Sequence, residues 1–277
     1  MKNTLKLKPT KLIRIIKYRG GVIMKREESS ILEGAESRFY QGNQIGILLC
    51  HGFNGTPQSM QFIGERLSQL GYTVSIPRLS GHGTHYRDME KVHYENWKQD
   101  LQEEYDRLKE SCLEVYVVGQ SMGGALTLQL AASNSSISGI ALINAAVTDV
   151  AYQTLRTEKG PMLIEEGEPD IHKPGVYEIT YSKVPLHAVH ELLDLMDETK
   201  EKVAKVESPV LLITSAVDHV VPPSNSDFIY ENLRSKEVKR VTLPHSYHVA
   251  SMDYDATMIV DNLHQYIENL SQEPSLS

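Results

Sequence analysis

Cysteine is scarce in this chain of 277 residues, which contains only Cys50 and Cys112. Two cysteines cannot form the disulfide framework of a small secreted domain, so a reduced, cytoplasmic setting is expected. No run approaches the roughly 18 uninterrupted apolar residues of a transmembrane helix, so we expect no stable membrane insertion. Low-complexity tracts are also missing, and 40% of the residues are hydrophobic. These features predict one large folded domain with room for an inserted subdomain.

Acidic residues are absent from positions 1–23, which carry seven lysines and arginines. The remaining 254 residues hold 21 basic and 36 acidic side chains, a formal charge of −15. Such an acidic body repels nucleic acid and anionic membrane surfaces, which favours a neutral small-molecule substrate. Nothing in the pattern indicates an oligomeric state.

The basic segment 1–23 lacks the apolar core and the cleavage site of a secretory signal. One interpretation is an amphipathic surface anchor, because isoleucines and a leucine lie among its basic residues. Another places the natural start at Met24, since the codons for Arg19-Gly20-Gly21-Val22 can contain a bacterial ribosome-binding sequence. The segment shows no strand-like run, so its removal is expected to leave stability and kcat nearly unchanged.

Short runs rich in Val, Ile and Leu alternate with amphipathic helical runs along the rest of the chain. The predicted strands are Ile45–Cys50, Tyr72–Ile76, Val115–Gly119, Ile140–Asn144, Val210–Thr214 and Val238–Leu243. The predicted helices begin near Thr56, with Thr56 as N-cap, and near Glu95, Met122 and Asp255. This alternation predicts an α/β fold with a mostly parallel sheet and helices on both faces.

The alternation stops over residues 146–206, which we interpret as a small cap inserted into a core formed by 24–145 and 207–277. An ordinary long crossover is the alternative. The apolar residues of this segment predict a face that meets the substrate, or one that only packs the cap onto the core. They are Ile164, Ile171, Ile179, Leu186, Val189, Leu193 and Met196.

The segment Gly119-Gln120-Ser121-Met122-Gly123 matches the G-x-S-x-G pattern of a nucleophilic serine. It follows an apolar strand and opens a helix of small residues, which is the context that the pattern requires. Ser121 is the predicted nucleophile. The backbone N–H groups of Met122 and of Phe53, in the loop after the strand Ile45–Cys50, are the predicted oxyanion donors. His51 is expected to brace that loop.

The acid and the base of such an enzyme follow the serine in that order along the chain. Asp218 lies just beyond the strand Val210–Thr214, where a catalytic acid is expected. His248 follows the strand Val238–Leu243 and is the predicted base. His245 is its rival, and His219 is interpreted as a loop residue.

Several segments together resemble the bacterial carboxylesterases and monoacylglycerol lipases of the α/β-hydrolase fold. They are His51–Pro57, Pro77–Thr84, Gly119–Gly124, Ile143–Ala146, Asp218–Pro223 and Ser246–Ala250. The resemblance implies a small cap over an apolar acyl tunnel, the triad Ser121, Asp218 and His248, and an oxyanion hole at Phe53 and Met122. Residues 1–23 have no counterpart in the family pattern.

The same resemblance implies a cap glutamate near the glycerol end of the pocket. Glu178 fits best and, with the adjacent Ile179, is the candidate for substrate binding. Glu165, Glu166 and Glu168 remain alternatives, as does a solvated glutamate with no role.

No C-x-x-C, H-E-x-x-H, P-loop or G-x-G-x-x-G pattern occurs in the required context, so neither a catalytic metal nor a cofactor is expected. The sequence predicts a serine hydrolase that cleaves short- to medium-chain carboxylic esters through an acyl-enzyme. Two alternatives remain. One is an acyltransferase or thioesterase with the same triad, and the other is a hydrolase-fold binding protein without turnover.

Overall fold

The computed structural model describes residues 14–17 and 29–272. Its strands are β1 (Arg14–Lys17), β2 (Arg38–Tyr40), β3 (Ile45–Cys50), β4 (Thr73–Ile76), β5 (Glu114–Gln120), β6 (Gly139–Ile143), β7 (Met162–Glu165), β8 (Lys183–Pro185), β9 (Val210–Ser215) and β10 (Val238–Leu243). Its helices are α1 (Gln58–Gln69), α2 (Tyr94–Lys109), α3 (Met122–Ser133), α4 (Leu186–Lys202), α5 (Ser224–Asn232) and α6 (Ala256–Gln272). All six predicted core strands are present, with bounds that agree to within two residues.

A seven-stranded sheet forms the centre of the molecule, with strand order β10-β9-β6-β5-β3-β4-β2. Its strands run parallel except β2, which pairs antiparallel with β4 at the edge. Apolar side chains leave both faces of β3, where Ile47 and Leu49 join one core cluster and Leu48 and Cys50 join the other. A strand buried on both faces needs an unbroken apolar sequence, which explains the non-alternating runs. The predicted fold class is therefore confirmed.

Helices cover both faces of this sheet. The core cluster on one face includes residues of α1 and α6, and the cluster on the other includes residues of α2, α3 and α4. The predicted N-cap of α1 is wrong by one position. Pro57 occupies the N-cap, while the buried Thr56 hydroxyl has no hydrogen-bond partner.

Residues 146–206 contribute no strand to the seven-stranded sheet. Within them, β7 and β8 pair antiparallel, and β8 leads directly into α4. Residues 14–17 add the third strand of this small sheet, because β1 pairs antiparallel with β7. The expectation that the basic segment contains no strand is therefore wrong. Four residues with a distant partner produce no recognisable period in a sequence. The interpretation of 146–206 as a cap remains a prediction.

The β1–β7 pairing changes what truncation should do. Deleting residues 1–23 removes β1 and leaves one edge of β7 without its partner, so we expect a loss of about 1 kcal/mol and a melting temperature lower by about 2–4 °C. Deleting residues 1–13 keeps β1 and is the matched control, for which we expect no change. Equal melting temperatures for the two truncated proteins would contradict a stabilising role for β1.

Within the described ranges, no helix has both the length and the apolar character needed to cross a membrane.

Candidate active site

The four loops with predicted catalytic residues follow β3, β5, β9 and β10 at one edge of the large sheet. In a parallel sheet the carboxyl ends of all strands meet at the same edge, which is where α/β folds place their ligands. Ser121 follows β5, Asp218 follows β9 and His248 follows β10. The sheet therefore brings together residues that are up to 127 positions apart.

Ser121 sits on a sharp turn between β5 and α3, with φ 57° and ψ −118°. A non-glycine residue is strained in this region of backbone space, which is typical of a nucleophile held at a strand-to-helix turn. The turn is tight because a Cβ added to Gly119 would lie 2.0 Å from the Gly123 carbonyl oxygen. A Cβ on Gly123 would lie 2.4 Å from the Cys50 carbonyl oxygen. Glycine at both positions allows these backbones to approach each other.

The side chains of Ser121, His248 and Asp218 form one chain of hydrogen bonds. The Ser121 Oγ lies 2.9 Å from His248 Nε2, and His248 Nδ1 lies 2.8 Å from Asp218 Oδ2. The second carboxylate oxygen of Asp218 accepts from the N–H groups of Val220 and Val221, at 2.9 and 2.8 Å. Because a carboxylate only accepts, it favours a proton on His248 Nδ1 and leaves Nε2 free to take the serine proton.

The charges around His248 favour its protonated form. Burial by itself lowers the pKa of this imidazole, but the carboxylates of Asp218, Asp170 and Glu178 outweigh burial and raise the pKa above its usual value of 6.5. A base of this kind takes up a proton readily when the serine attacks.

The loop after β3 approaches Ser121 closely. A Cβ added to Gly52 would lie 3.3 Å from Ser121 Cβ, so the adjacent Phe53 is near the nucleophile. Met122 is the first residue of α3, and an N–H group in the first turn of a helix has no intrahelical partner. These positions suit the predicted oxyanion donors, whose role remains a prediction.

His51 braces the β3 loop, as expected from the sequence. Its Nδ1–H donates to the Gly52 carbonyl at 2.9 Å, and its Nε2 accepts from the Leu79 N–H at 3.2 Å. Burial lowers the pKa of His51 to about 4, so the ring stays neutral at physiological pH. His245, the rival candidate for the base, is exposed. The ring of the loop residue His219 contacts Asp170.

Sequence reasoning did not identify Asp170, which connects the loops of the acid and the base. Its Oδ2 accepts from the backbone N–H groups of His219 and His248, at 3.1 and 3.2 Å, and its carbonyl accepts from the Val249 N–H at 3.1 Å. A single aspartate in an irregular loop has no recognisable motif, so only the folded chain shows this role.

Asp253 makes a second connection between the same parts of the chain. Its carboxylate accepts from the N–H groups of His172 and Lys173, at 2.7 and 2.9 Å, and from that of Tyr247 at 2.9 Å. The stretch around residues 170–173 is therefore hydrogen-bonded to the loop that contains His248.

A cavity opens beside Ser121 and His248. Its apolar lining residues include Phe53, Ala146, Val150, Leu192, Val220, Val221 and Val249. Its polar lining residues include Asn54, Glu166, Asp170, Glu178 and Thr180. Apolar side chains beside a nucleophile suit an acyl chain, and the polar groups suit an alcohol with further hydroxyls.

Glu178 is buried and lines this cavity, whereas Ile179 does not. Glu178 and Thr180 face the cavity, but the Ile179 side chain between them points towards Gly34. The structure thus offers no support for Ile179 as a substrate contact, and that role stays a prediction. Glu166 also lines the cavity and accepts a hydrogen bond from the Tyr152 hydroxyl at 2.6 Å.

The apolar residues of 146–206 that were predicted to meet the substrate do not line the cavity either. Five of the seven are fully buried and belong to the core cluster: Ile164, Leu186, Val189, Leu193 and Met196. Leu192 is the residue of α4 that reaches the cavity. Leu192 and Leu193 are adjacent on the broad apolar side of α4, so the sequence alone does not reveal which of them faces the cavity.

Several known proteins similar to this chain are named as lipases or esterases. Residues 43–164 and 178–255 match the family model described as serine aminopeptidase, S33. A thermostable monoacylglycerol lipase of Bacillus sp. strain H-257 is 43% identical over 237 residues, which cover 85% of this chain and 95% of that protein. A carboxylesterase of Bacillus subtilis strain 168 is 24% identical and covers 83% of this chain and 95% of its own length.

A solved structure associated with LipS and LipT, two metagenome-derived lipolytic enzymes, superposes with a TM-score of 0.83. It is 36% identical and covers 87% of this chain and 100% of its own.

Proposed function

This chain belongs to the serine aminopeptidase S33 family and is a serine hydrolase of carboxylic esters, and we propose that it cleaves monoacylglycerols and related single-chain esters. The observation that carries the proposal is the hydrogen-bonded series of Ser121, His248 and Asp218 beside a cavity that is lined by both apolar and polar side chains. The similarity to a monoacylglycerol lipase supports the substrate class.

The reaction begins when Ser121 Oγ attacks the ester carbonyl and His248 Nε2 takes its proton. The backbone N–H groups of Phe53 and Met122 hold the negative oxygen of the tetrahedral intermediate. His248 then gives the proton to the leaving alcohol, and the acyl group remains on Ser121. A water molecule, deprotonated by His248, attacks this acyl-enzyme and releases the carboxylic acid. Asp218 holds the imidazole in its required orientation and stabilises its charged form.

Glu178 is proposed to bind the alcohol part of the substrate. Its carboxylate is buried, and Glu178 lines the cavity together with the polar residues Asn54 and Thr180. A carboxylate accepts hydrogen bonds strongly from hydroxyl groups, and glycerol offers two of them when one is esterified.

Residues 24–145 and 207–277 are proposed as the hydrolase core and residues 146–206 as the cap. Two observations support the cap. The segment adds no strand to the large sheet, and its Val150, Tyr152, Glu166 and Leu192 line the cavity. A reduced compartment such as the cytoplasm is proposed because Cys50 and Cys112 are buried and free.

Two alternatives are a hydrolase-fold binding protein without turnover and an acyltransferase or thioesterase with the same triad. A fluorophosphonate probe and added acyl acceptors distinguish them from this proposal. A binding protein without turnover would not be labelled at Ser121. An acyltransferase or thioesterase would be labelled, but it would prefer an added alcohol acceptor or a thioester over simple hydrolysis of an oxygen ester.

The apolar residues that line the cavity predict that kcat/KM depends on the length of the acyl chain. Each buried methylene contributes about 0.8 kcal/mol, so two additional carbons should raise kcat/KM by roughly tenfold until the cavity is full. We expect activity to rise from acetate to medium-chain p-nitrophenyl esters and then to fall. Monoacylglycerols should be hydrolysed and triacylglycerols poorly, because one narrow cavity does not hold three chains. A series of esters with two to sixteen carbons measures this dependence.

The variant Leu192→Phe tests the proposed acyl site, because a larger side chain in the cavity lining shortens the space for the acyl chain. The preferred length should decrease while hydrolysis of the acetate ester stays nearly unchanged. A flat kcat/KM from two to ten carbons, or rapid hydrolysis of triolein, would contradict the proposed acyl site.

A further inference from the structure

Three side chains with metal-binding groups meet outside the active-site cavity. His93 is the residue before α2, while His187 and Glu191 lie one turn apart on α4. Their potential ligand atoms all lie within 4.8 Å of one another. None of the three lines the cavity beside Ser121. The cluster thus joins a helix of the segment 146–206 to the start of a helix that packs on the large sheet.

The hydrogen bonds of His187 and Glu191 leave one ligand atom of each facing the other. His187 Nε2 donates to the Val92 carbonyl at 3.1 Å, so in the neutral ring Nδ1 carries the lone pair. That Nδ1 lies 3.7 Å from Glu191 Oε1. The other oxygen of Glu191 accepts from the Tyr94 N–H at 2.9 Å. Histidine and carboxylate ligands of metals are commonly oriented in this way. The side-chain atom that does not face the metal makes a hydrogen bond to a backbone group.

A lone pair that faces a carboxylate oxygen is unfavourable, and a proton or a cation between the two atoms relieves the repulsion. His93 Nδ1 lies 3.0 Å from the same Glu191 Oε1, at hydrogen-bond distance, so both imidazole rings approach one carboxylate oxygen. Glu191 is only 9% exposed, and a buried carboxylate is costly without a partner. A proton shared between a ring and the carboxylate would satisfy one of these pairs, whereas a divalent cation would satisfy all three ligand atoms together.

We propose that His93, His187 and Glu191 bind one divalent transition-metal ion of the zinc class. Imidazole nitrogens and a carboxylate oxygen are ligands that zinc accepts at about 2.0–2.2 Å, which places ligand atoms about 3.3 Å apart in a tetrahedral site. The separations of 3.0 and 3.7 Å are close to that value. The side chain of His93 is 61% exposed, so an ion can reach the site and a water molecule can complete it.

The bound ion would act as a cross-link and take no part in ester cleavage. It would hold α4 against the residue that precedes α2. Glu191 is adjacent to Leu192, which forms part of the cavity wall, so the cross-link would also fix the position of that wall. This role differs from that of a catalytic metal, which no sequence pattern in the chain predicts.

The experiment uses the full chain, which is first stripped of metal with a chelator. The chelator is then removed, and the protein is titrated with zinc chloride. We expect calorimetry to show one equivalent of zinc bound. At a free zinc concentration about 100-fold above Kd, the melting temperature should rise by about 5–10 °C. Magnesium chloride should give no shift, because magnesium prefers oxygen ligands.

Glu191→Gln and His187→Gln should each abolish this binding and the accompanying shift. His93→Asn tests the same site with little risk to folding, because the side chain is largely exposed and asparagine is a good N-cap. His190→Gln is the matched control on α4, since the His190 ring contacts the Leu155 carbonyl instead. His248→Ala shows whether zinc binds in the active site.

The absence of zinc binding by the unmodified chain would overturn the proposal. So would binding of one equivalent that His93→Asn, His187→Gln and Glu191→Gln all retain, or binding that only His248→Ala removes.

Discussion

Replacing Ser121 or His248 with alanine is expected to lower kcat for ester hydrolysis by about 10⁴-fold or more. Members of a triad act as a unit, so the loss of one removes most of what the three achieve together. Without Ser121 no acyl-enzyme forms, and without His248 no group at 2.9 Å accepts the serine proton. Steady-state hydrolysis of a medium-chain p-nitrophenyl ester measures both variants.

His245→Ala is the control for the base, because His245 lies three positions away and is exposed. It should keep nearly all activity. Circular dichroism should show that Ser121→Ala and His248→Ala fold normally. The assignment of the base would be wrong if His248→Ala stayed active and His245→Ala did not.

Asp170→Ala is expected to lower kcat by about 10- to 100-fold although Asp170 does not contact Ser121. Loss of its carboxylate leaves the His219 and His248 N–H groups without their acceptor, and hydrogen bonds to a charged group are worth about 1.5–3 kcal/mol. The loops of the acid and the base would then lose a shared support. Asp170→Asn keeps an accepting oxygen and should recover much of the activity.

Asp170→Asn should also change the pH dependence, which a merely structural residue would not do. The Asp170 charge helps to raise the pKa of His248, so its removal lowers that pKa. Because His248 must be neutral to accept a proton, activity is lost as the pH falls below its pKa. The acid limb of kcat/KM should therefore lie above pH 6.5 in the unmodified enzyme and move to lower pH in Asp170→Asn.

Glu168→Gln is the matched control for charge, because it removes one exposed carboxylate two residues away. It should leave both kcat and the acid limb nearly unchanged. An Asp170→Asn enzyme with an unshifted acid limb would contradict the electrostatic part of this prediction.

The large sheet and the meeting of its loops could be predicted from the sequence because they follow from simple rules. Buried parallel strands such as Ile45–Cys50 are continuous apolar runs, and residues that follow such strands gather at one edge. Ser121, Asp218 and His248 each follow such a strand, so their approximate positions needed no knowledge of side-chain packing.

The remaining features depend on pairings between distant residues. The strands β1, β7 and β8 have three or four residues each, too few to show a period. The choice of Leu192 over Leu193 as a cavity residue depends on how α4 is rotated, which two adjacent leucines in a sequence do not reveal. His93 and Glu191 are 98 positions apart, so only the His187–Glu191 pair, with its spacing of four, gave a local signal.

The hydrogen bonds of Asp170 and Asp253 disfavour substrate entry by an outward movement of residues 170–173. Residues 170–173 are joined to the His248 loop through both carboxylates and to Val249 through a backbone bond. Swinging this stretch outward would break those bonds and disturb the base in the same movement. Substrate entry that keeps these bonds intact therefore has to use a part of the cavity lining other than residues 170–173. The part of the molecule that moves to admit the substrate is then separate from the part that holds the catalytic loops in place.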